Sequence, residues 1–126
     1  MKEVFSACLI FLLIISLSVI GTVYTDNLAD ELSSLTLTCA DNVKSENWDE
    51  AEGNIKKARE CFSENSHALE SFLLHDDIER LSDILTNVEI SVEVREKAQS
   101  LSNIKIFTRR LYELAESDKL TFNNIL

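Results

Sequence analysis

The sequence predicts an all-α fold, an antiparallel four-helix bundle whose first helix is continuous with an amino-terminal transmembrane helix. Three observations predict it. Residues 4–23 run twenty positions without a charge, a proline or a polar amide. The rest of the chain has no proline and one glycine, Gly53, whereas turn-rich β architectures need such residues at their bends. Apolar residues recur there at spacings of three and four, which gathers them on one face of a helix.

The apolar segment measures about 30 Å as a helix, the thickness of a bilayer's hydrocarbon core. A signal peptide has a shorter apolar core of about 7–15 residues and a small-x-small cleavage site. The best such site here is only Val19-Ile20-Gly21. Phe5-Ser6-Ala7-Cys8 looks like a lipidation box, but its apolar core follows it instead of preceding it. The expectation is a retained anchor over residues 1–25, meeting the membrane lipid bilayer through residues 4–23, and a helical domain over 26–126. Lys2 flanks the short side, while Asp26, Asp30, Glu31 and Asp41 precede Lys44 on the long side. Basic residues beside a span favour the cytoplasm. A single-pass protein of the cell membrane follows, with its amino end cytoplasmic and residues 25–126 extracytoplasmic.

Each helix has its own stripe. Leu28, Leu32, Leu35 and Cys39 carry the first helix out to about Lys44. Trp48, Ala51, Ile55, Ala58 and Phe62 mark the second, with Leu69, Phe72 and Leu73 in register beyond. Ile78, Leu81, Leu85, Val88 and Val92 mark the third; Ala98, Leu101, Ile104, Leu111 and Leu114 mark a less regular fourth. Asn47 followed by Glu50 is a capping pattern for the second helix, and Asp76 and Asp77 suit the start of the third. The break before the fourth is placed at Ser91 or Glu93. The segment 118–126, with Thr121 and Phe122, reads as a non-helical tail packed back onto the bundle.

Residues 26–126 carry 11 of the 12 basic and 21 of the 22 acidic residues, a net charge of −10. Phosphate binding needs clustered Lys and Arg, so no nucleic-acid partner is expected. The acidic charge reads as a solubilising surface. Cys39 and Cys61 lie outside the span, but a hairpin turning near residues 45–47 leaves them about 12 Å apart along the helices. A disulfide needs α-carbons within about 7 Å, so none is expected.

Few motifs carry chemistry. Asn47-Trp48-Asp49-Glu50-Ala51 with Ile55 and Ala58 matches one tetratricopeptide helix, yet no second copy is present and about three repeats are needed. The expected role of Trp48 is a buried anchor between the first two helices. His75, Asp76 and Asp77, with Glu79, lack the spacing of a zinc site or a calcium loop; a hydrogen-bonded His75 and helix capping are expected instead. No phosphate loop or hydrolase elbow occurs. No catalytic residue, cofactor site or metal site is therefore assigned, and no enzyme is expected.

With these residues assembled, the chain resembles an uncharacterised bacterial family, domain-of-unknown-function family 4363. The resemblance rests on Glu46-Asn47-Trp48-Asp49 leading into Ala51, on Phe72-Leu73-Leu74-His75-Asp76-Asp77-Ile78, and on the ending Leu120-Thr121-Phe122-Asn123-Asn124-Ile125-Leu126. Asn124, in the most specific of these stretches, joins Trp48, His75, Asp76 and Asp77 as structural or interaction candidates. The resemblance implies an amino-terminal membrane helix and an acidic helical domain, and carries no activity, ligand or catalytic residue. The expected function is a non-enzymatic accessory or scaffold protein acting by contact with another membrane protein. An extracytoplasmic sensor or ligand-binding module is the alternative; it would need an interior pocket and usually a cytoplasmic output domain, which residues 1–3 do not offer.

Overall fold

Four helices account for nearly every residue of the computed structural model, which describes residues 1–71 and 73–125, with side chains through residue 116. They are α1 (Lys2–Lys44), α2 (Trp48–Glu70), α3 (His75–Glu93) and α4 (Lys97–Ile125), and no strand occurs among the described residues. Helix α1 is one uninterrupted helix of 43 residues.

The four pack as a helical bundle in which α1 lies against α2 and α4, and α3 against α2 and α4. The predicted stripes form most of its core: Leu32, Cys39, Ala51, Ala58, Leu85, Val88 and Val92 have no exposed surface. Each fully buried Leu or Val side chain contributes about 1.5–3 kcal/mol relative to an exposed one. The third helix follows its expected face throughout, from Ile78 to Val92.

The fourth helix keeps most of its expected stripe, with Ile104 and Leu111 buried and Leu101 and Leu114 packed against the core, but its inward face is wider. Ala98 is exposed, and the buried positions are Ser100, Asn103, Ile104, Phe107, Leu111 and Ala115. Phe107, outside the predicted stripe, is the largest fully buried side chain among the described residues. Two polar residues open this face, so an apolar count there misses the helix rotation. Asn103 is satisfied in place: its amide donates to Asn87 O at 3.2 Å and to Ser91 Oγ at 3.3 Å.

Two turns at one end of the bundle share a backbone design. After α1, Glu46 N–H bonds Val43 O and Asn47 N–H bonds Asn42 O; after α3, Arg95 N–H bonds Val92 O and Glu96 N–H bonds Ser91 O. This is the Schellman arrangement, which wants a left-handed residue after the helix and usually takes Gly there. Here Glu46 and Arg95 both adopt φ 60°. The break before α4 thus lies at residues 94–96, directly after Glu93 and within about three residues of the expected place. Glu46→Gly is expected to raise stability by about 0.5–1 kcal/mol, because relief of left-handed strain exceeds the added entropy of the unfolded chain. Thermal melting checks it; a lower melting temperature would mean that the Glu46 side chain contributes more than its backbone costs.

Caps also differ from expectation. Asn47 occupies the N-cap position of α2 but makes no side-chain cap bond, and its ψ of 71° departs from the extended geometry of capping residues. Its N–H is already committed to closing the preceding turn. At α3 the N-cap is Leu74 and the helix begins at His75, which leaves Asp76 and Asp77 in the first turn. They favour the positive helix end by charge alone. The segment from 118 is helical, continuing α4 to Ile125, so the expected non-helical tail is corrected; the expected packing of its side chains lies outside the described residues.

Candidate membrane segment and polar sites

The amino-terminal half of α1 is long and apolar enough to cross a membrane, and its side chains face outward on nearly all sides. Twelve large apolar residues between Val4 and Val23 are exposed, from 41% at Val19 to 67% at Val4 and Phe5. Its hydroxyls turn back on the helix: Ser16, Ser18 and Thr22 donate to the carbonyls of Leu12, Ile14 and Ser18 at 2.8, 3.0 and 3.0 Å. Such back-bonding gives these three hydroxyls partners within the helix itself.

Near Gly21 the same helix changes character. Gly21, Thr25, Leu28, Ala29 and Leu32 are buried, and the Tyr24 hydroxyl donates to Asn65 Oδ1 on α2. An interior cavity of about 10 Å³ sits at this level, lined by Thr25, Leu28, Leu32, Leu69, Ile78, Leu81, Leu111 and Leu114. It holds no more than a single water would need.

The predicted candidates are scattered over the bundle. Trp48 is half-buried at the start of α2, packed against the core on one side and lining a surface groove with Glu46, Asp49, Glu50 and Arg95 on the other. The expected anchor role holds on one flank only: Trp48 packs against the core but directly follows a three-residue turn at the end of the bundle, where its other flank faces solvent. Arg95 reaches Asp49 across this groove at 3.6 Å, and exposed pairs of this kind contribute little.

His75 is exposed, with Nδ1 at 3.1 Å from Glu70 and Nε2 at 3.3 Å from Glu79. The hydrogen bond its ring donates to Glu70 and the charge of Glu79 raise its pKa above the ordinary histidine value. The protonated ring is thus favoured in the folded state. That contribution is present below the ordinary histidine pKa and lost as pH rises through the raised one. Asp76 is exposed; Asp77 is half-buried and borders a surface groove of about 480 Å³ between α3 and α4, with Arg80, Asp83, Arg110 and Glu113. Among the described residues no three His, Cys, Asp or Glu side chains converge as metal ligands. Asn124 falls in the last turn of α4, and its side chain lies outside the described residues.

Cysteine chemistry is quiet. All three cysteines are free. The Cys39 thiol donates to Ala51 O at 3.4 Å, which places Cys61 ten residues, about 15 Å, further along α2. Burial pushes both thiols up to about 11, aided at Cys61 by the Glu31 carboxylate. Thiols with such values stay protonated and unreactive near neutral pH.

One polar cluster gave no motif in the sequence. Arg59 on α2 donates from Nε to Glu89 at 2.5 Å, from Nη1 to Ser82 Oγ at 2.9 Å, and from Nη2 to Ser82 O and Thr86 Oγ1 at 3.1 and 2.7 Å. The guanidinium clamps α2 to α3 through a fork that lysine cannot reproduce. Its signal was positional: Arg59 and Glu89 each sit one residue after a core position, Ala58 and Val88.

A family model described as a domain of unknown function, DUF4363, matches residues 19–125. No curated protein and no solved structure matches the chain.

Proposed function

The chain belongs to the DUF4363 family, and we propose that it is a single-pass membrane protein whose helical domain serves as a non-enzymatic accessory or scaffold for another membrane protein. In this reading the bundle is antiparallel and α1 runs unbroken from the bilayer into its core. Support for the topology comes from cross-helix contacts. Cys39 meets Ala51 while Tyr24 meets Asn65, Leu69 shares a level with Ile78, and Asn103 meets Asn87 while Leu114 shares a level with Leu81. Partner numbers fall along one helix as they rise along its neighbour.

The observation that carries the proposal is the division of α1. Residues 4–20 display apolar side chains outward, and residues 21–43 supply ten buried positions. A helix hydrophobic all round and left largely uncovered fits lipid, and its rigid continuation fixes the domain at one height above the bilayer. The flanking charges, Lys2 against Asp26, Asp30 and Glu31, favour an extracytoplasmic domain. The ligand-binding alternative loses ground because the interior cavity of about 10 Å³ admits no metabolite.

Partner recognition then falls to the span and the outer faces of the helices. Ser18 and Gly21 do not offer the close approach that small residues give between membrane helices, because Gly21 is buried and Ser18 half-buried within this chain. Ser6, Ala7 and Ser16 are exposed. Replacing the exposed residues of 4–20 with leucine tests the idea. Cross-linking in native membranes is expected to lose a specific partner while the bundle stays folded. Retention of the same partner, or capture of none with the native span, would count against the scaffold reading and favour a ligand at the α3–α4 groove.

A further inference from the structure

The register between α1 and α4 carries a consequence for the end of the chain. Thr25, Leu28 and Leu32 share an interior level with Leu111 and Leu114. From Leu114, α4 continues eleven residues to Ile125, about 16 Å. The two helices run in opposite directions in the topology proposed above, so this extension passes Thr25 and travels alongside the apolar segment to about the height of Ile14.

A burial stripe on α1 supports that path. Ile15 and Ser18 are half-buried, and Gly21 and Thr25 are buried, whereas Ile14, Leu17 and Ile20, each directly preceding one of the first three, are 48, 54 and 59% exposed. Positions 15, 18, 21–22 and 25 fall on one helix face. Helix α2 does not reach all of it. The Tyr24–Asn65 contact puts Glu70, the last residue of α2, about 7 Å down from Tyr24, near Val19. Ile15 lies about 6 Å beyond, where α4, the other helix packed on α1, continues.

The sequence of the extension is graded in the same direction. Glu116, Asp118 and Lys119 fall within one turn of the level of Gly21; the next six residues, Leu120 to Ile125, carry no charge. Charged residues at the headgroup level followed by uncharged and apolar ones below are the pattern of a helix end entering a membrane interface.

We propose that the carboxyl-terminal end of α4, from about Leu120, enters the lipid leaflet on the bundle's side and lies beside α1 among the acyl chains. The inference rests on the membrane reading of residues 4–20. It makes the anchor one full span braced by a half-inserted second helix, which fixes tilt and rotation of the bundle as well as its height.

Depth-dependent fluorescence tests it. The full chain with Trp48→Phe, which removes the native indole, is reconstituted into phosphatidylcholine vesicles with brominated acyl chains, carrying Leu13→Trp, Phe122→Trp or Tyr112→Trp. Expected are quenching of the tryptophans at 13 and 122 and an unquenched tryptophan at 112, which lies above the membrane. Bromines near the headgroup should quench position 122 more than position 13. Quenching at 13 alone would overturn this inference and leave the span intact. Quenching at neither would overturn the membrane reading and this inference together. Ile125→Trp provides a second reporter if Phe122→Trp loses helical circular dichroism, and an unquenched signal there likewise overturns the proposal.

Discussion

Phe107→Ala is expected to cost about 3–5 kcal/mol, the usual range for emptying a buried aromatic site. Phe107 has no exposed surface and lies within the buried cluster that joins all four helices. Domains of this size are stable by roughly 5–15 kcal/mol, so one substitution removes a large share of the margin. At about 4–8 °C per kcal/mol, the melting temperature should fall by more than ~10 °C. The neighbouring Ile106 supplies the control, because it is 37% exposed; Ile106→Ala should cost under about 1.5 kcal/mol. Thermal melts by circular dichroism compare the two. Equal losses would mean that the rotation of α4 about its axis is wrong, and with it the pairing of Asn103 with α3.

That control separates what the sequence could show from what it could not. The third helix was legible because every inward position, Ile78 to Val92, is a branched aliphatic residue, apart from Ser91 beside the stripe. The fourth was legible only in part, at Leu101, Ile104, Leu111 and Leu114, because Ser100 and Asn103 occupy inward positions and Phe107 falls outside the apparent repeat. Their fit is decided by the carbonyl of Asn87 and the hydroxyl of Ser91 on another helix, information no local window contains. The turn at 94–96 hid for a related reason: Arg95 takes the left-handed position where Gly would have announced it. Beyond Asp118, β-prone Thr121 and Phe122 argued for a tail, yet propensity differences of a few tenths of a kcal/mol per residue are too small to end a helix already running through residue 118. Among the candidate residues, the sequence singled out His75 but not Glu70, its partner across the α2–α3 turn, and it missed Arg59 because a clamp is a meeting of two helices.

A chain beginning at residue 19 is expected to be water-soluble and folded, while the full chain should sediment with membranes even after alkaline carbonate treatment. Nine of the twelve exposed large apolar residues of the segment precede residue 19. Transferring nine such side chains from water to lipid is worth on the order of 20 kcal/mol, far more than thermal detachment can overcome, and the helix's backbone groups are already paired within it. The shorter chain keeps every buried residue of α1 from Gly21 onward, so its helical signal and cooperative melt should persist. A signal sequence makes a different prediction, since it would be removed near Gly21. Intact mass of the membrane-extracted protein distinguishes them: residues 1–126, with or without the first methionine, support the anchor, and a mature form starting near Thr22 overturns it. The shorter chain also isolates the second contact with lipid. Weak, reversible binding of this chain to phosphatidylcholine vesicles, lost when residues 120–126 are removed, is what a half-inserted end of α4 should leave behind once the span is gone.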